Sequence, residues 1–253
     1  MRTSNPAMQA FVHQDGYPAA AGGRSRVMTY RGTIIASGVL TALCAISAML
    51  TWDMMAGGRV GAVMPYLIGS ILVSLVLGLV MYARPRTSPF VAPVYALAEG
   101  VFVGAVSYLV PLMYDKVGTG VVIQAVILTF GILFALLAAY SVGLVRLGGT
   151  ATKVITVATA GIAIYYVAGL LFSLIGFSGF PRLGWEGGML GIGFSLFVVV
   201  LASLNLVLDF QYIDEGVRSG APKYMEWYGA YGLLVTVVWL YFETLRLLAK
   251  LRD

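Results

Sequence analysis

The sequence predicts an all-α polytopic membrane protein, a bundle of seven transmembrane helices, and three observations carry that prediction. Hydrophobic residues make up 60% of the 253-residue chain and charged ones only 11%, with a mean hydropathy of +0.90. A soluble protein of this length cannot hide so much apolar surface, so most of it must face lipid or other helices. Seven apolar runs, at about 33–52, 60–83, 91–113, 119–144, 152–176, 188–213 and 224–248, each reach the roughly twenty residues that a hydrocarbon core requires. Small residues recur at four-residue spacing inside the runs: Gly100 with Gly104, Gly187 with Gly191, and Ser70, Ser74, Gly78. Such faces let helix backbones approach closely, and packing drives association in lipid.

In chain order, residues 1–28 are polar, rich in Gly, Ala and Pro, and without hydrophobic periodicity. They read as a disordered cytoplasmic tail, followed by one membrane domain over 29–253. They lack the apolar core that a signal peptide carries behind its first basic residue. The first run holds the single Cys44, a small packing residue that rules out an intrachain disulfide. The second ends in VMYARPR with Arg84, the third contains AEGVFVGAVS with Glu99, and the fourth is apolar almost throughout. The fifth carries Thr156, Tyr165, Tyr166 and Ser173, suited to hydrogen bonds between helices. Trp52, Trp185, Trp227 and Trp239 lie mostly near span ends, where an aromatic belt forms.

Orientation follows from Lys and Arg. With the N-terminus inside, ten basic residues fall on the cytoplasmic side and six outside. That count favours a cytoplasmic N-terminus, and the basic C-terminus opposes it.

The last two runs carry acids where lipid-facing helices should not. Asp209 closes the sixth, Asp214 and Glu215 fall in the link, Glu226 opens the seventh, and Glu243 lies near its far end. An intramembrane carboxylate costs roughly 2.5–3.5 kcal/mol at a helix centre and is by default a functional-site hypothesis. In a helical hairpin, Asp209 and Glu226 share one membrane face; Glu99 enters from that same face about 12 Å deep at 1.5 Å per residue. Asn205 one turn before Asp209 and Tyr212 three residues after it extend a polar stripe. Clustered carboxylates with amide and phenol oxygens suit Ca²⁺, a hard cation with oxygen ligands, or the sharing and passing of protons. Asp209 and Glu226 are the expected Ca²⁺ ligands and the expected proton-sharing pair. The competing reading is that the acids pair with Arg84, Arg218 or Lys223; Glu243 has Arg246 at one-turn spacing.

Other chemistries lack residues. His13 is the only histidine and no Cys pair exists, which leaves no soft-metal set and no expected cofactor beyond Ca²⁺. Walker, GxSxG and HExxH motifs are absent, so no enzymatic activity is expected. Basic residues are scattered over loops, against a nucleic-acid partner.

The seven-span pattern, AEGVFVGAVS in the third run, LNLVLDFQYID at the end of the sixth and LYFETLRLL in the last together resemble the Bax inhibitor (transmembrane Bax inhibitor motif) family, in its YccA-like bacterial branch. Leu208 stands where the family motif has tyrosine. The resemblance implies six helices around a central seventh, an inner-membrane location, and a pH-sensitive Ca²⁺ leak. It further implies a pair of aspartates in the last two helices as pH sensor and pore latch, the first engaged by a basic residue at the end of the second helix. Asp209 matches the first aspartate and Arg84 the basic position. No aspartate matches the second: Glu243 aligns only with a gap, the ungapped position falls near Leu234, and Glu226 is the nearest acid.

Three readings follow. The first is a Ca²⁺ leak channel or Ca²⁺/H⁺ exchanger with Asp209 central, Glu99 and Glu226 supporting, Asp214 in the cluster and Arg84 as latch. The second is a regulatory membrane protein that binds a membrane protease or quality-control complex, with structural acids. The third is a sensor without permeation.

Overall fold

The computed structural model describes residues 27–114, 117–175 and 188–252. Most of the expected tail, with His13, falls outside the described residues, as do Lys116, Arg182, Trp185 and Gly187. The rest is helix joined by turns: α1 (Tyr30–Ala56), α2 (Val60–Ala83), α3 (Ser88–Leu112), α4 (Gly120–Ser141), α5 (Gly149–Leu174), α6 (Gly188–Arg218) and α7 (Met225–Arg252). All seven are long and apolar enough to cross a bilayer.

Val27 and Met28, assigned to the tail by the sequence reading, are packed instead. Val27 bridges to Pro222, the Met28 amide donates to the Ala221 carbonyl at 2.7 Å, and the Met28 side chain is buried beside Ala221 and Met225. A polar tail thus ends in one apolar residue that docks. Thr29 then caps α1, its hydroxyl accepting from the Gly32 amide at 3.0 Å.

Two helix ends differ from the sequence reading in ways that matter for function. The sixth helix does not stop at 213; it continues to Arg218, so Asp214 and Glu215 stand on its last turn and not in a link. Its end is fixed by Gly220, whose φ of +70° lets the Ala221 amide reach the Gly216 carbonyl (2.9 Å) and the Gly220 amide the Val217 carbonyl (3.2 Å). That pair of bonds is a Schellman cap, which a residue with a Cβ adopts at a cost. The seventh helix runs to Arg252, so Glu243 and Arg246 lie inside it rather than at its end.

The last helix is central. In its most apolar stretch 61% of residues are buried, against 11% in α2 and in α5, which expose Tyr66, Leu72, Ile164 and Leu170 to lipid. α7 packs along α1, α3, α4 and α6. The closest crossing elsewhere is α1 on α3. A Cβ added at Gly100 would sit 2.3 Å from the Cys44 carbonyl oxygen, and one at Gly104 would sit 2.3 Å from that of Ala48. The small-residue spacing read in the third run is therefore a backbone-to-backbone contact.

Candidate functional site: acids along the central helix

Glu226, in the first turn of α7, is 4% exposed, and its charge is met locally. Its Oε1 accepts from the Thr29 amide (3.0 Å), the Thr29 hydroxyl (2.8 Å) and the Lys223 ammonium (2.9 Å). A Cβ at Gly32 would lie 2.1 Å from this carboxyl group, so the glycine makes room for it. An acid at a helix N-terminus is also favoured by the helix dipole. Glu226 ties the start of α1 to the start of α7.

Asp214 makes a second tie at the same end. Its Oδ1 accepts from the Tyr30 hydroxyl and from Arg218 Nε (3.0 Å), its Oδ2 from the Tyr140 hydroxyl (3.2 Å). Three helices meet at this side chain. Tyr212 packs its ring toward Tyr228 with centroids 6.3 Å apart, and Asn205 donates to the Thr159 hydroxyl (2.8 Å) and the Leu201 carbonyl (2.9 Å), linking α6 to α5.

Asp209 is different. Its carboxyl group faces Gly232 of α7, with Oδ1 4.0 Å from where a Cβ would stand, and Oδ2 is buried without a hydrogen-bond partner. The polar neighbour is Thr236, one turn further along, whose hydroxyl donates to the Gly232 carbonyl at 3.2 Å. Gly232 lies six residues beyond Glu226, about 9 Å along the helix axis. The expected Asp209–Glu226 pair is therefore not brought together, because Glu226 is held outward by Thr29 and Lys223. Glu243 lies eleven residues past Gly232 and does not face Asp209 either. The side chain that does is Thr236.

Glu99 of α3 lies against the hydroxyls of Tyr95 and Ser74, with Cys44 and Tyr231 close by. Tyr231 meets Tyr95 edge-on at 4.8 Å. Because Glu99 sits beside Tyr231 and Asp209 beside Gly232, the two acids flank α7 at one level, on faces about 100° apart. Among the described residues the ion pairs are Arg218 with Asp214, Lys223 with Glu226 and Arg246 with Glu243. Asp209 and Glu99 are in none of them. Nor is Arg84, the expected latch, whose exposed side chain stands at the end of α2.

Glu243 is fully buried, where the sequence reading had a simple pair near the outer end. Its Oε2 accepts from Arg246 Nη2 (2.8 Å), its Oε1 from the Tyr166 hydroxyl (2.9 Å) and from Trp239 Nε1 (3.3 Å). Arg246 also donates to the Tyr166 oxygen (2.7 Å) and lies over the Tyr166 and Phe242 rings at 5.2 and 5.0 Å. One helical turn on, the Lys250 ammonium donates to the Gly191 carbonyl and the Ser195 hydroxyl, both at 2.9 Å. This network joins α5, α6 and α7 at the end opposite Glu226. Sequence reasoning marked Tyr166 for hydrogen bonds between helices, which it makes here, but missed Lys250 and Ser195 as members of the network. A three- and four-residue spacing of Glu243, Arg246 and Lys250 marks one face of a helix and was the available signal.

The chemistry follows from this sorting. Glu226, Asp214 and Glu243 are saturated by bases and hydroxyls and act as joints. Asp209 and Glu99 are in no ion pair among the described residues, so their carboxyl groups remain open to a proton or a cation. No three of His, Cys, Asp and Glu converge among the described residues, so no resident Ca²⁺ cage is built around Asp209 and Glu226.

No curated protein and no solved structure matches the chain. A family model described as Bax inhibitor 1 like matches residues 5–253, nearly end to end. With seven spans, a central last helix and Asp209 against it, the chain belongs to the Bax inhibitor 1-like family of membrane proteins.

Proposed function

We propose that the chain is a cation leak of a bacterial inner membrane, passing Ca²⁺ in a proton-dependent way, with Asp209 as its responsive group and Glu99 as a second cation-attracting acid. One observation carries the reading: these two carboxylates flank the central helix at one level, and neither has a basic partner among the described residues. An intramembrane acid without a base is costly, and ion and proton pathways are where such acids are kept. Ionised, Asp209 attracts a cation into the seam between α6 and α7. Protonated, it donates a hydrogen bond toward Thr236 or the Gly232 carbonyl and is a poor Ca²⁺ ligand. Flux should therefore fall as the medium is acidified.

The N-inside orientation gains support from the buried network. Arg246 and Lys250 are spent inside α7, which leaves four basic residues to set against ten.

The test is Ca²⁺ uptake into liposomes holding the purified chain, over a pH series, in wild type, Asp209→Asn, Glu99→Gln and the exposed control Glu215→Gln. Asp209→Asn should flatten the pH response and Glu99→Gln should lower flux, with the control unchanged. Wild-type profiles in both variants would remove the proposal. No flux in wild type would turn the reading to a regulatory protein whose acids are structural.

A further inference from the structure

A cavity of about 640 Å³ opens among α1, α3, α4 and α7. It runs along α1 from Asp53 to Thr41, twelve residues or about 18 Å, so it extends from the end where α1 finishes to mid-membrane. Its walls are largely apolar, but Thr41, Asp53, Ser107, Thr129 and Tyr241 interrupt them. The Ser107 and Tyr241 hydroxyls satisfy each other at 2.6 Å. Thr129 does not resemble them: it is 1% exposed, it lines the cavity, and its hydroxyl has no hydrogen-bond partner. A buried hydroxyl left unpaired is costly, and water or a hydrated cation in the cavity would supply the missing partner. At the inner end stand Cys44 and Val103. Val103 is one helical turn from Glu99, and the Cys44 thiol lies within electrostatic reach of that carboxylate.

We infer that this cavity is the entry vestibule for the permeating cation, leading from the α1 C-terminal side to Glu99, with Cys44 at its floor. The inference rests on the cation-leak reading above and adds its route and sidedness. Asp53 at the mouth attracts a cation; the apolar walls leave the passage dry until it is wetted, a gating principle of hydrophobic constrictions. Glu99 receives the ion about halfway across, and the Gly100 contact with α1 closes the floor beside it.

Cys44 is the only cysteine in the chain, so the protein carries its own reporter. The full-length chain in liposomes would be treated with a membrane-impermeant cationic thiosulfonate and, separately, with a membrane-permeant maleimide. Modification would be read by intact mass, and Ca²⁺ flux measured before and after. Both reagents should label Cys44, the cationic one should lower flux at least several-fold, and reduction should restore it. Thr129→Leu, which fills the cavity, should slow cationic labelling about tenfold while the maleimide still reacts with unfolded protein, and Cys44→Ser should conduct and resist block. Labelling by the permeant reagent alone would show a cavity filled by lipid chains and overturn the inference, as would labelling by neither. Cationic labelling without loss of flux would overturn it too, leaving the leak on another route. A wild-type protein that labels but does not conduct would instead remove the cation-leak reading, and with it the role given to the vestibule.

Discussion

Replacing Arg246 with methionine tests whether the charge network at the far end of α7 holds the bundle together. The substitution keeps an unbranched apolar chain but removes the 2.8 Å bond to Glu243, the 2.7 Å bond to Tyr166 and the contacts over two aromatic rings. Glu243 is fully buried, so it is left as a carboxylate without the guanidinium that it bonds. Breaking a buried ion pair from one side costs about 3–5 kcal/mol, because the remaining charge is stranded. For a chain of this size that corresponds to a melting shift on the order of 10 °C. Thermal unfolding in detergent, followed by tryptophan fluorescence, reads it, since Trp239 bonds to Glu243. Adding Glu243→Gln to Arg246→Met should recover about half of the loss, because the stranded charge is removed with its partner. A single variant that melts within 2 °C of wild type would refute the reasoning. So would a double variant whose loss equals the sum of the single losses.

Three further outcomes follow from packing and charge. Gly100→Ala should destabilise by about 1–3 kcal/mol, because its Cβ meets the Cys44 backbone oxygen at 2.3 Å and backbone yields poorly, whereas Gly38→Ala, with nothing within 4 Å, should be neutral or stabilising; equal melting temperatures would contradict the α1–α3 contact. Thr29→Val should cost about 1–2 kcal/mol through the lost cap and the lost bond to Glu226, and should speed amide exchange at the start of α1 ahead of the other helices; uniform exchange would argue against the tie. Thr236→Asp would put a second carboxylate opposite Asp209, with repulsion of up to about 4 kcal/mol at 4 Å in a medium of effective dielectric 20. Saturating Ca²⁺ should raise the melting temperature of that variant and leave wild type nearly unmoved, since binding at 100 times Kd is worth about 2.7 kcal/mol; no Ca²⁺ dependence would mean that position 236 does not face Asp209.

The number and length of the spans were legible because lipid demands long apolar runs whatever the partners. The Gly100 and Gly104 contact was legible for a similar reason: small residues at one-turn spacing have few other uses in a membrane helix. What the sequence hid was which faces meet. In a helix apolar on all sides, no amphipathic stripe reports its neighbours, so Asp209 could be paired on paper with Glu226 or Glu243 when Thr236 is the residue beside it. Helix ends were hidden for another reason. Asp214 and Glu215 look like link residues by polarity, yet the Schellman cap at Gly220 keeps them helical, and Asp214 gains Tyr30 and Tyr140 as partners from α1 and α4. The vestibule was invisible because a cavity belongs to four helices at once and to no segment of any one.

Polarity alone does not say which intramembrane acids carry function; the presence or absence of a base beside each one does. Glu243 is fully buried, yet Arg246, Tyr166 and Trp239 satisfy it, and a group so occupied cannot exchange a proton or cation without parting α5 from α7. Glu226 is likewise held by Thr29 and Lys223 at the opposite end. These two tie down both ends of α7, Glu226 through α1 and Glu243 through α5, with Lys250 adding the tie to α6. Between them the polar neighbour that the central helix offers Asp209 is Thr236, next to Gly232, and Tyr231 stands beside Glu99. The middle of α7 is packed into the core through Ala230, Leu234, Val238 and Leu240, and it is against this packed stretch that Asp209 and Glu99 stand. In the two-aspartate arrangement that the family resemblance implies, a second acid would supply the local response. Here Thr236 stands in the contact instead, so at this contact Asp209 is the one carboxylate that can take up a proton. That makes Asp209→Asn the most direct test of this contact: with no second carboxylate opposite it to compensate, loss of the one charge should flatten the pH response, and a profile as steep as wild type would assign the response to Glu99.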